Sequence, residues 1–244
     1  MDLPLFFISD IHLLLNPNGG EAGRQQRLFR FLDHVQASGG TLFIVGDLFD
    51  FWFEYKQVMP KVYFPFLTKL YALKESGTEI NYLLGNHDYW VMDFITDTLM
   101  TNTYFDDISF EANGKKFYIT HGDGLLSWDR AYRVLKRMLR NPLFVKSFRA
   151  LHPNIGYAFA NWVSRRGRHF VHTDEYNRRI VEDLLGFADE RFAEGFDYLI
   201  TGHYHQARQV ERNGRHLLIL GDWINYFTYG EFDGQSLILK TWET

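Results

Sequence analysis

Five short polar clusters, rich in aspartate, asparagine and histidine, each follow a hydrophobic run of the sequence. Carboxylate, imidazole and amide side chains without thiolates form a ligand set suited to Mn²⁺, Fe²⁺ or Zn²⁺. One such cluster carries little information, but five in succession predict a single metal site assembled from strand ends. The clusters are Asp10-Ile11-His12, Gly46-Asp47-Leu48-Phe49-Asp50, Gly85-Asn86-His87-Asp88, His121-Gly122-Asp123 and Gly202-His203-Tyr204-His205.

Seven side chains of these clusters are the candidate metal ligands. Residues that follow the carboxyl ends of neighbouring strands point into a common crevice. Seven oxygen and nitrogen donors suffice for two divalent ions, provided that one carboxylate bridges them. Two ions roughly 3.5–4 Å apart activate a water molecule and clamp the oxygens of a phosphoryl group. The candidate ligands are Asp10, His12, Asp47, Asn86, His121, His203 and His205.

His87 and Asp88 follow Asn86 directly and form the candidate catalytic pair. We predict that His87 protonates a leaving oxygen or donates a hydrogen bond to the phosphoryl group. We predict that Asp88 holds His87 in the useful tautomer, as carboxylates commonly do beside functional imidazoles.

Short runs rich in Phe, Ile, Leu, Val and Tyr precede the clusters and are predicted to be buried strands. Helical patterns over residues 24–38 and 60–76 separate the first three runs, and this alternation indicates an α/β core. Antiparallel strands expected over 206–212, 216–220 and 236–241 add a second sheet, so we predict a sandwich flanked by helices. The buried runs are Leu5–Ser9, Thr41–Val45, Glu79–Leu84, Lys116–Thr120 and Tyr198–Thr201.

A helical block from about residue 124 to residue 196 lies between the fourth and fifth clusters. We predict one domain over residues 1–244, with this block as a helical cap over the site. Although the whole chain has a net charge of -4, the stretch from Trp128 to His169 contains ten Lys or Arg residues and one acid, Asp129. Such a density of positive charge, with aromatic residues interleaved, favours contact with phosphates or anionic lipid.

The composition also restricts the class of protein. The chain contains no cysteine, which excludes disulfides and thiolate metal sites and fits a cytosolic protein. Its first residues lack the basic segment and apolar core of a secretory signal. No uncharged apolar run approaches the roughly 20 residues that span a bilayer. We therefore expect a soluble protein, or one bound at most to a membrane surface.

The order of the five clusters resembles the calcineurin-like metallophosphoesterase superfamily, over nearly the whole chain from Ile8 to about Asp222. The resemblance implies a four-layer αββα sandwich with a dinuclear metal site. By this resemblance one ion would be held by Asp10, His12, Asp47 and His205. The second ion would be held by Asp47, Asn86, His121 and His203, with Asp47 as the bridge.

A narrower likeness rests on residues 8–13, 46–52, 121–125 and 129–132. These stretches are similar to the UDP-2,3-diacylglucosamine diphosphatases of lipid A biosynthesis, which release lipid X and UMP, typically with Mn²⁺. The likeness implies a nucleotide-lipid substrate, acyl chains taken up by the cap, and a cytoplasmic enzyme bound peripherally to the inner face of the bacterial inner membrane. Asp129 would lie near the sugar, and the other substrate-binding candidates are Arg130, Arg133, Arg165, Arg168 and His172.

His87 departs from that narrower family, whose best-known members have arginine at this position; histidine is the general superfamily residue. Alternative functions are therefore a metallophosphoesterase for another lipid-linked pyrophosphate, nucleotide or phosphodiester, a nucleic-acid enzyme or binder, and a metal-dependent scaffold without catalysis. The negative net charge and the lack of a recognition motif disfavour nucleic acid. A scaffold would require a missing ligand, and all seven positions are filled. The sequence leaves the oligomeric state open.

Overall fold

Two mixed β-sheets with helices on their outer faces make up the computed structural model, which describes residues 1–17, 19–167 and 173–243, without the side chains of 160, 161 and 163–167. The strands are β1 Leu5–Ile8, β2 Thr41–Val45, β3 Ile80–Leu83, β4 Asn102–Tyr104, β5 Ile108–Ala112, β6 Lys115–Thr120, β7 Tyr198–Thr201, β8 Ala207–Arg212, β9 Arg215–Leu220, β10 Thr228–Phe232 and β11 Leu237–Thr241. The α-helices are α1 Glu21–Ser38, α2 Phe64–Glu75, α3 Arg130–Leu139, α4 Pro142–Arg149, α5 Pro153–Gly167 and α6 Asp174–Ala193. A 3₁₀ turn spans Lys61–Tyr63 and a π-helix spans Phe94–Leu99.

The first sheet has the strand order β11-β10-β1-β2-β3-β4, and the second has the order β5-β6-β7-β9-β8. Strands β1 to β4 run parallel, as do β6, β7 and β9, whereas β5, β8, β10 and β11 join antiparallel. Parallel strands end at the same edge, so the residues after β1, β2 and β3 are brought together in one crevice.

Alternation of side chains along the strands builds the layers. Phe7 and Val45 point between the two sheets, where they pack against Phe117 and Ile200 of the second sheet. The opposite face of the first sheet, with Phe6 and residues 42, 44, 80 and 82, packs on α1 and α2. Since side chains of a strand alternate between faces, each strand contributes to two layers of core.

Helix α6 covers the outer face of the second sheet. Its buried side chains at 180, 181, 184, 188 and 192 contact Leu199, Leu217 and Ile219 of β7 and β9. The predicted four-layer αββα sandwich is therefore confirmed. Helix α6, which falls within the expected cap range of about 124–196, lies in the outer layer of this sandwich.

Helices α3 to α5 attach to the core through an aromatic cluster. Phe53 and Tyr55, from the segment after the second polar cluster, pack with Phe148 of α4 and with Trp90. The Tyr157 hydroxyl of α5 donates to the Phe53 carbonyl at 2.9 Å. These helices thus rest on the segments that follow the second and third polar clusters.

Three strands, β4, β5 and β10, were not predicted from the sequence patterns. Strand β4 is only three residues long and polar, and its identity depends on parallel pairing with β3. Strand β5 alternates half-buried and exposed side chains, and β10 contains Gly230 opposite Phe7 of β1. Their hydrophobic content is too low to mark them as strands, and neighbouring strands supply the pairing that the local sequence does not predict.

Candidate metal centre

Five strand ends deliver the candidate ligands to one edge of the sandwich. Asp10 and His12 follow β1, Asp47 follows β2 and Asn86 follows β3. His121 follows β6 directly, and His203 and His205 follow β7. Both sheets therefore contribute to the site, and the structure brings all seven candidate ligands together.

Five of these residues have left-handed backbone conformations. The φ angles are 53° for Asp10, 45° for His12, 53° for Asp47, 68° for His203 and 51° for His205. Residues with a β-carbon adopt this region at a cost of about 1–3 kcal/mol each, and they persist only where the surrounding structure holds them. Such concentration of strain at the strand ends is typical of a functional site.

A first ligand group consists of Asp10, His12 and His205. Asp10 Oδ1 lies 3.6 Å from His12 Nε2 and 3.6 Å from His205 Nε2. The rings of His12 and His205 are stacked, with centroids 5.1 Å apart. The three ligand atoms lie within 4.8 Å of one another.

A second ligand group consists of Asp47, His121 and His203, whose ligand atoms also lie within 4.8 Å of one another. Asp47 Oδ2 is 3.4 Å from His121 Nε2 and, on its other side, 3.6 Å from His12 Nε2. The Asn86 amide oxygen lies 3.2 Å from His121 Nε2. Asp47 thus lies between the two groups, as a bridging carboxylate would.

Two buried atoms test whether these residues fit a metal. Asp10 Oδ1 and His12 Nε2 are both inaccessible to solvent and have no hydrogen-bond partner among the described residues. A buried polar atom left in this way costs about 1–3 kcal/mol. Two donors bound at about 2.1 Å to one ion are roughly 3–3.5 Å apart, close to the separations found here. The residues therefore fit divalent cations.

His87 lies beside both groups, but Asp88 does not orient it. The His87 Nδ1 atom is 2.7 Å from the Asp50 carbonyl, and its Nε2 is 4.0 Å from Asp47 Oδ2. Asp88 accepts backbone N–H groups instead, from Leu48 at 2.6 Å and from Gly85 at 2.9 Å. The predicted role of Asp88 in setting the tautomer of His87 is wrong, because its oxygens accept backbone N–H groups from the segments that follow β2 and β3.

Other residues position the ligands. Asp222 Oδ2 lies 3.1 Å from His205 Nδ1, while Asp222 Oδ1 accepts the N–H groups of Ile224, Asn225 and Tyr226. The Val45 carbonyl lies 2.9 Å from His121 Nδ1. Each contact leaves Nε2 of the histidine directed to the centre. Asp222 was not among the predicted site residues, although the Gly221-Asp222 pair after strand β9 repeats the pattern of Gly46-Asp47.

Two glycines permit the close approach of the strand ends. A β-carbon at Gly46, whose φ is +82°, would overlap the His121 ring, and one at Gly85 would overlap Asp47 Oδ1. Only glycine leaves room for the second ligand group.

The predicted substrate-binding residues of the cap lie in different surroundings. Asp129 lies close to Tyr204, the residue between His203 and His205, and its charge acts on the Tyr204 hydroxyl. Burial raises the pKa of this hydroxyl most, and the charges of Asp129 and Asp123 raise it further. Arg130 is exposed. The Arg133 guanidinium donates to the carbonyls of Gly124 at 3.1 Å and Leu126 at 2.7 Å, so it holds this loop. Arg168 and His172 lie outside the described residues, as does the side chain of Arg165.

Lys136 of α3 also reaches the loop after His121, at Asp123. Its Nζ atom lies 2.8 Å from Asp123 Oδ2 and donates to the Asp123 carbonyl at 2.9 Å, while an Arg140 nitrogen lies 3.6 Å from the same carboxylate. Lys136 and Arg140 were not among the predicted site residues. Because they are four residues apart, Lys136 and Arg140 lie on one helix face, and this spacing could have identified them as a pair from the sequence.

The protonation of the histidines gives the centre a pH dependence. Burial alone would lower the pKa of His121 and of His205. The Asp47 carboxylate nevertheless raises the pKa of His121 to about 10, and Asp10 raises that of His205 to about 9. Burial and the charge of His121 lower the pKa of His203 to about 4. At pH 7 without metal, therefore, His121 and His205 are protonated and His203 is neutral.

Mn²⁺ binding to the metal-free protein at pH 7 is expected to release about two protons, since imidazoles bind metals only when deprotonated. The affinity should increase as the pH rises from 7 towards 9, because fewer protons compete for His121 and His205. Calorimetric titrations in two buffers of different ionisation enthalpy measure this release. A binding heat that is independent of the buffer would contradict the expectation.

Comparison with known proteins agrees with this geometry. The family model described as calcineurin-like phosphoesterase matches residues 3–207. A UDP-2,3-diacylglucosamine hydrolase of Porphyromonas gingivalis is 32% identical, over 98% of this chain and 97% of the relative. A protein of the same name from Nitrosococcus oceani is 29% identical, over 89% of this chain and 86% of the relative. A solved structure of an archaeal phosphodiesterase, 14% identical, has a TM-score of 0.50 and covers 98% of this chain and 99% of that chain, so it shares the fold.

Proposed function

The chain belongs to the calcineurin-like phosphoesterase family and is a metal-dependent phosphohydrolase, and from this premise we propose that it hydrolyses the pyrophosphate of UDP-2,3-diacylglucosamine. The products would be 2,3-diacylglucosamine 1-phosphate and UMP. The observation that carries the proposal is the pair of ligand groups that share Asp47. The hydrolase names of relatives that match nearly the whole chain support the choice of substrate.

Two divalent ions, Mn²⁺ in our proposal with Fe²⁺ or Zn²⁺ as alternatives, would be held by the seven candidate ligands. When bound, such ions supply Lewis-acid activation of water and neutralise phosphoryl charge. The protein contributes a rigid frame: buried Asp10 and Asp47 at the strand ends, and histidines whose second ring nitrogens contact Val45 and Asp222.

His87 is proposed to act on the phosphoryl group through Nε2. Its Nδ1 faces the Asp50 carbonyl and therefore carries a proton, and the side chain is 35% exposed, at the open side of Asp47. With Nδ1 protonated, Nε2 donates only when the imidazole is a cation. Burial opposes that form, but the Asp47 charge raises the pKa of His87 and favours it. The position thus accepts a positively charged donor, whether histidine or the arginine of the narrower family.

A lipid substrate is supported by the cap surface. Helices α3 to α5 and their connections expose large apolar side chains, among them Val134 and Leu143, which are 66% and 74% exposed. Acyl chains that cover such side chains gain about 0.8 kcal/mol per buried methylene group. Among the described side chains, this surface also exposes Leu135, Met138, Leu151, Ile155, Phe159 and Trp162.

The same surface supports peripheral association with the inner face of the inner membrane. Exposed Arg130, Arg137 and Lys146 lie in the same helices as these apolar residues, the pattern of an interfacial helix. None of the helices in the described ranges is long and apolar enough to cross a membrane. Co-sedimentation with anionic vesicles tests this association: binding at low salt that is lost at high salt is expected, and no binding at low salt would contradict it.

Mn²⁺-dependent release of UMP from the two UDP sugars, and of p-nitrophenol from a generic diester, tests the substrate. UDP-2,3-diacylglucosamine, UDP-N-acetylglucosamine and bis(p-nitrophenyl) phosphate are compared at equal concentrations. We expect the diacylated substrate to be preferred by about two orders of magnitude in kcat/KM, because several methylene groups of each chain become buried. Turnover of the generic diester alone would favour a phosphoesterase for another substrate and overturn the lipid assignment.

A further inference from the structure

The first turn of α1 contains a buried ion pair outside the polar clusters. Glu21 is 3% exposed, and its Oε1 atom lies 2.8 Å from a terminal nitrogen of Arg24, whose side chain is 12% exposed. The second carboxylate oxygen also accepts from the Arg24 guanidinium, at 3.0 Å and 2.8 Å. This pair has no part in the proposed chemistry, yet it lies directly behind the metal centre.

The remaining bonds of the pair go to two loops. The Arg24 guanidinium donates to the carbonyls of Ile11 and His12, the latter at 2.8 Å, and to the Trp223 carbonyl at 3.3 Å. Glu21 Oε1 accepts the Leu14 N–H at 3.2 Å. One guanidinium therefore joins the loop after β1 to the loop after β9.

Those two loops contain the parts of a single ligand group. The loop after β1 carries Asp10 and His12, both with left-handed backbones. The loop after β9 carries Asp222, which contacts His205 at 3.1 Å, and Trp223, whose N–H donates to the Asp10 carbonyl at 3.1 Å. The described hydrogen bonds from the Arg24 guanidinium to backbone carbonyls all lie in these loops, and none of them is made to the strand ends that carry the second group.

We propose that Glu21 and Arg24 are positioning residues that hold Asp10, His12 and His205 in ion-binding geometry and thereby set the affinity of one of the two ions. Strained backbone at Asp10 and His12 needs external restraint, and charge-assisted hydrogen bonds to the carbonyls supply it. Glu21 neutralises the guanidinium and so lets Arg24 lie buried next to a site for cations. The proposal rests on the metal centre of the proposed function and is independent of the lipid substrate.

Direct Mn²⁺ binding to the full chain after chelator treatment tests this inference. Calorimetry and the electron paramagnetic resonance signal of free Mn²⁺ measure the affinity of each ion. The native protein is compared with Arg24→Met, Arg24→Lys and the control Arg30→Met, which changes an exposed arginine of the same helix. We expect two ions to bind to the native and control proteins. In Arg24→Met one ion should bind about 10–100-fold more weakly, as for other residues that orient ligands, and the second should be unaffected. Arg24→Lys should be intermediate, since lysine cannot reach both loops at once.

A double variant separates positioning from folding. Arg24→Met alone leaves the Glu21 carboxylate buried without its partner, which can prevent folding. Glu21→Gln/Arg24→Met removes both charges, and we expect it to fold and to show the same weakened binding of one ion. The Mn²⁺ concentration for half-maximal hydrolysis should rise about 10–100-fold, with kcat at saturating Mn²⁺ within about threefold of native.

The outcomes distinguish this inference from the proposed function. Native-like affinity for both ions in every folded variant, or a lower kcat with unchanged metal binding, would overturn the positioning role. Failure of the native protein to bind two ions would instead contradict the dinuclear centre itself.

Discussion

Asp47→Ala is expected to lower kcat/KM by at least about 10³-fold, a loss of roughly 4 kcal/mol of transition-state stabilisation. Asp47 Oδ2 lies 3.6 Å from His12 Nε2 and 3.4 Å from His121 Nε2, so this one carboxylate serves both ligand groups. The other carboxylate oxygen, Asp47 Oδ1, accepts the backbone N–H of His87 at 2.9 Å. Removal of the side chain therefore separates the groups and frees the loop that carries His87.

The charge of Asp47 matters as much as its position. Burial raises the pKa of this carboxyl, but the charges of His121 and His87 outweigh burial and hold the pKa well below its usual range. Asp47→Asn retains the shape and removes the charge, so we expect it to lose nearly as much activity as the alanine variant. Steady-state kinetics with Mn²⁺ measure both variants, and Asp33→Ala, at a well-exposed carboxylate of α1, is the matched control. Turnover like that of the native protein in Asp47→Ala would contradict the dinuclear assignment.

His87→Ala is expected to lower kcat by about 10²–10³-fold, the usual effect of losing one donor to a developing phosphoryl or oxyanion charge. The two ligand groups should remain intact, because His121 and His205 are held by Val45 and Asp222 and not by His87. Stopped or continuous assays of UMP release measure kcat, and calorimetry checks that two Mn²⁺ ions still bind.

His87→Arg separates a charge requirement from a requirement for imidazole. Because arginine is always a cation with several donors, we expect this variant to retain activity within about tenfold of native. His152→Ala, at an exposed histidine between α4 and α5, is the control and should leave kcat unchanged. An inactive His87→Arg that still binds both ions would argue that a neutral imidazole, and not a cation, is required.

The residues of the candidate metal centre were predictable from the sequence to a large extent. Asp10 and His12, or His203 and His205, are recognisable because each pair directly follows a buried strand, and strand ends converge in any α/β sheet. The helix boundaries also follow local signals: α4 begins after Asn141, whose side chain accepts the Leu143 N–H, and α1 ends at Gly39 with φ 71°. Short strands such as β4 were missed because their hydrophobic content is low and only pairing with a neighbouring strand defines them.

The partners of the ligands were not predictable in the same way. Asp88 follows His87, yet its oxygens accept the N–H groups of Leu48 and Gly85, and His87 turns to the Asp50 carbonyl. Arg133 was predicted to bind substrate, and the structure shows in addition that its guanidinium donates to the carbonyls of the 124–127 loop. Adjacency in the sequence does not determine which way a side chain points once the backbone turns sharply.

The sequence by itself determined the types of candidate ligand, their order and the class of chemistry, because these depend on residue identity and on where buried strands end. The tertiary structure alone decided that Asp47 lies between the groups, that α6 is an outer layer of the sandwich, and that Arg24 joins the loops of Asp10 and Asp222. Those features require contacts between segments up to about 200 residues apart. Such contacts are set by the packing of two sheets against each other, which no local pattern encodes.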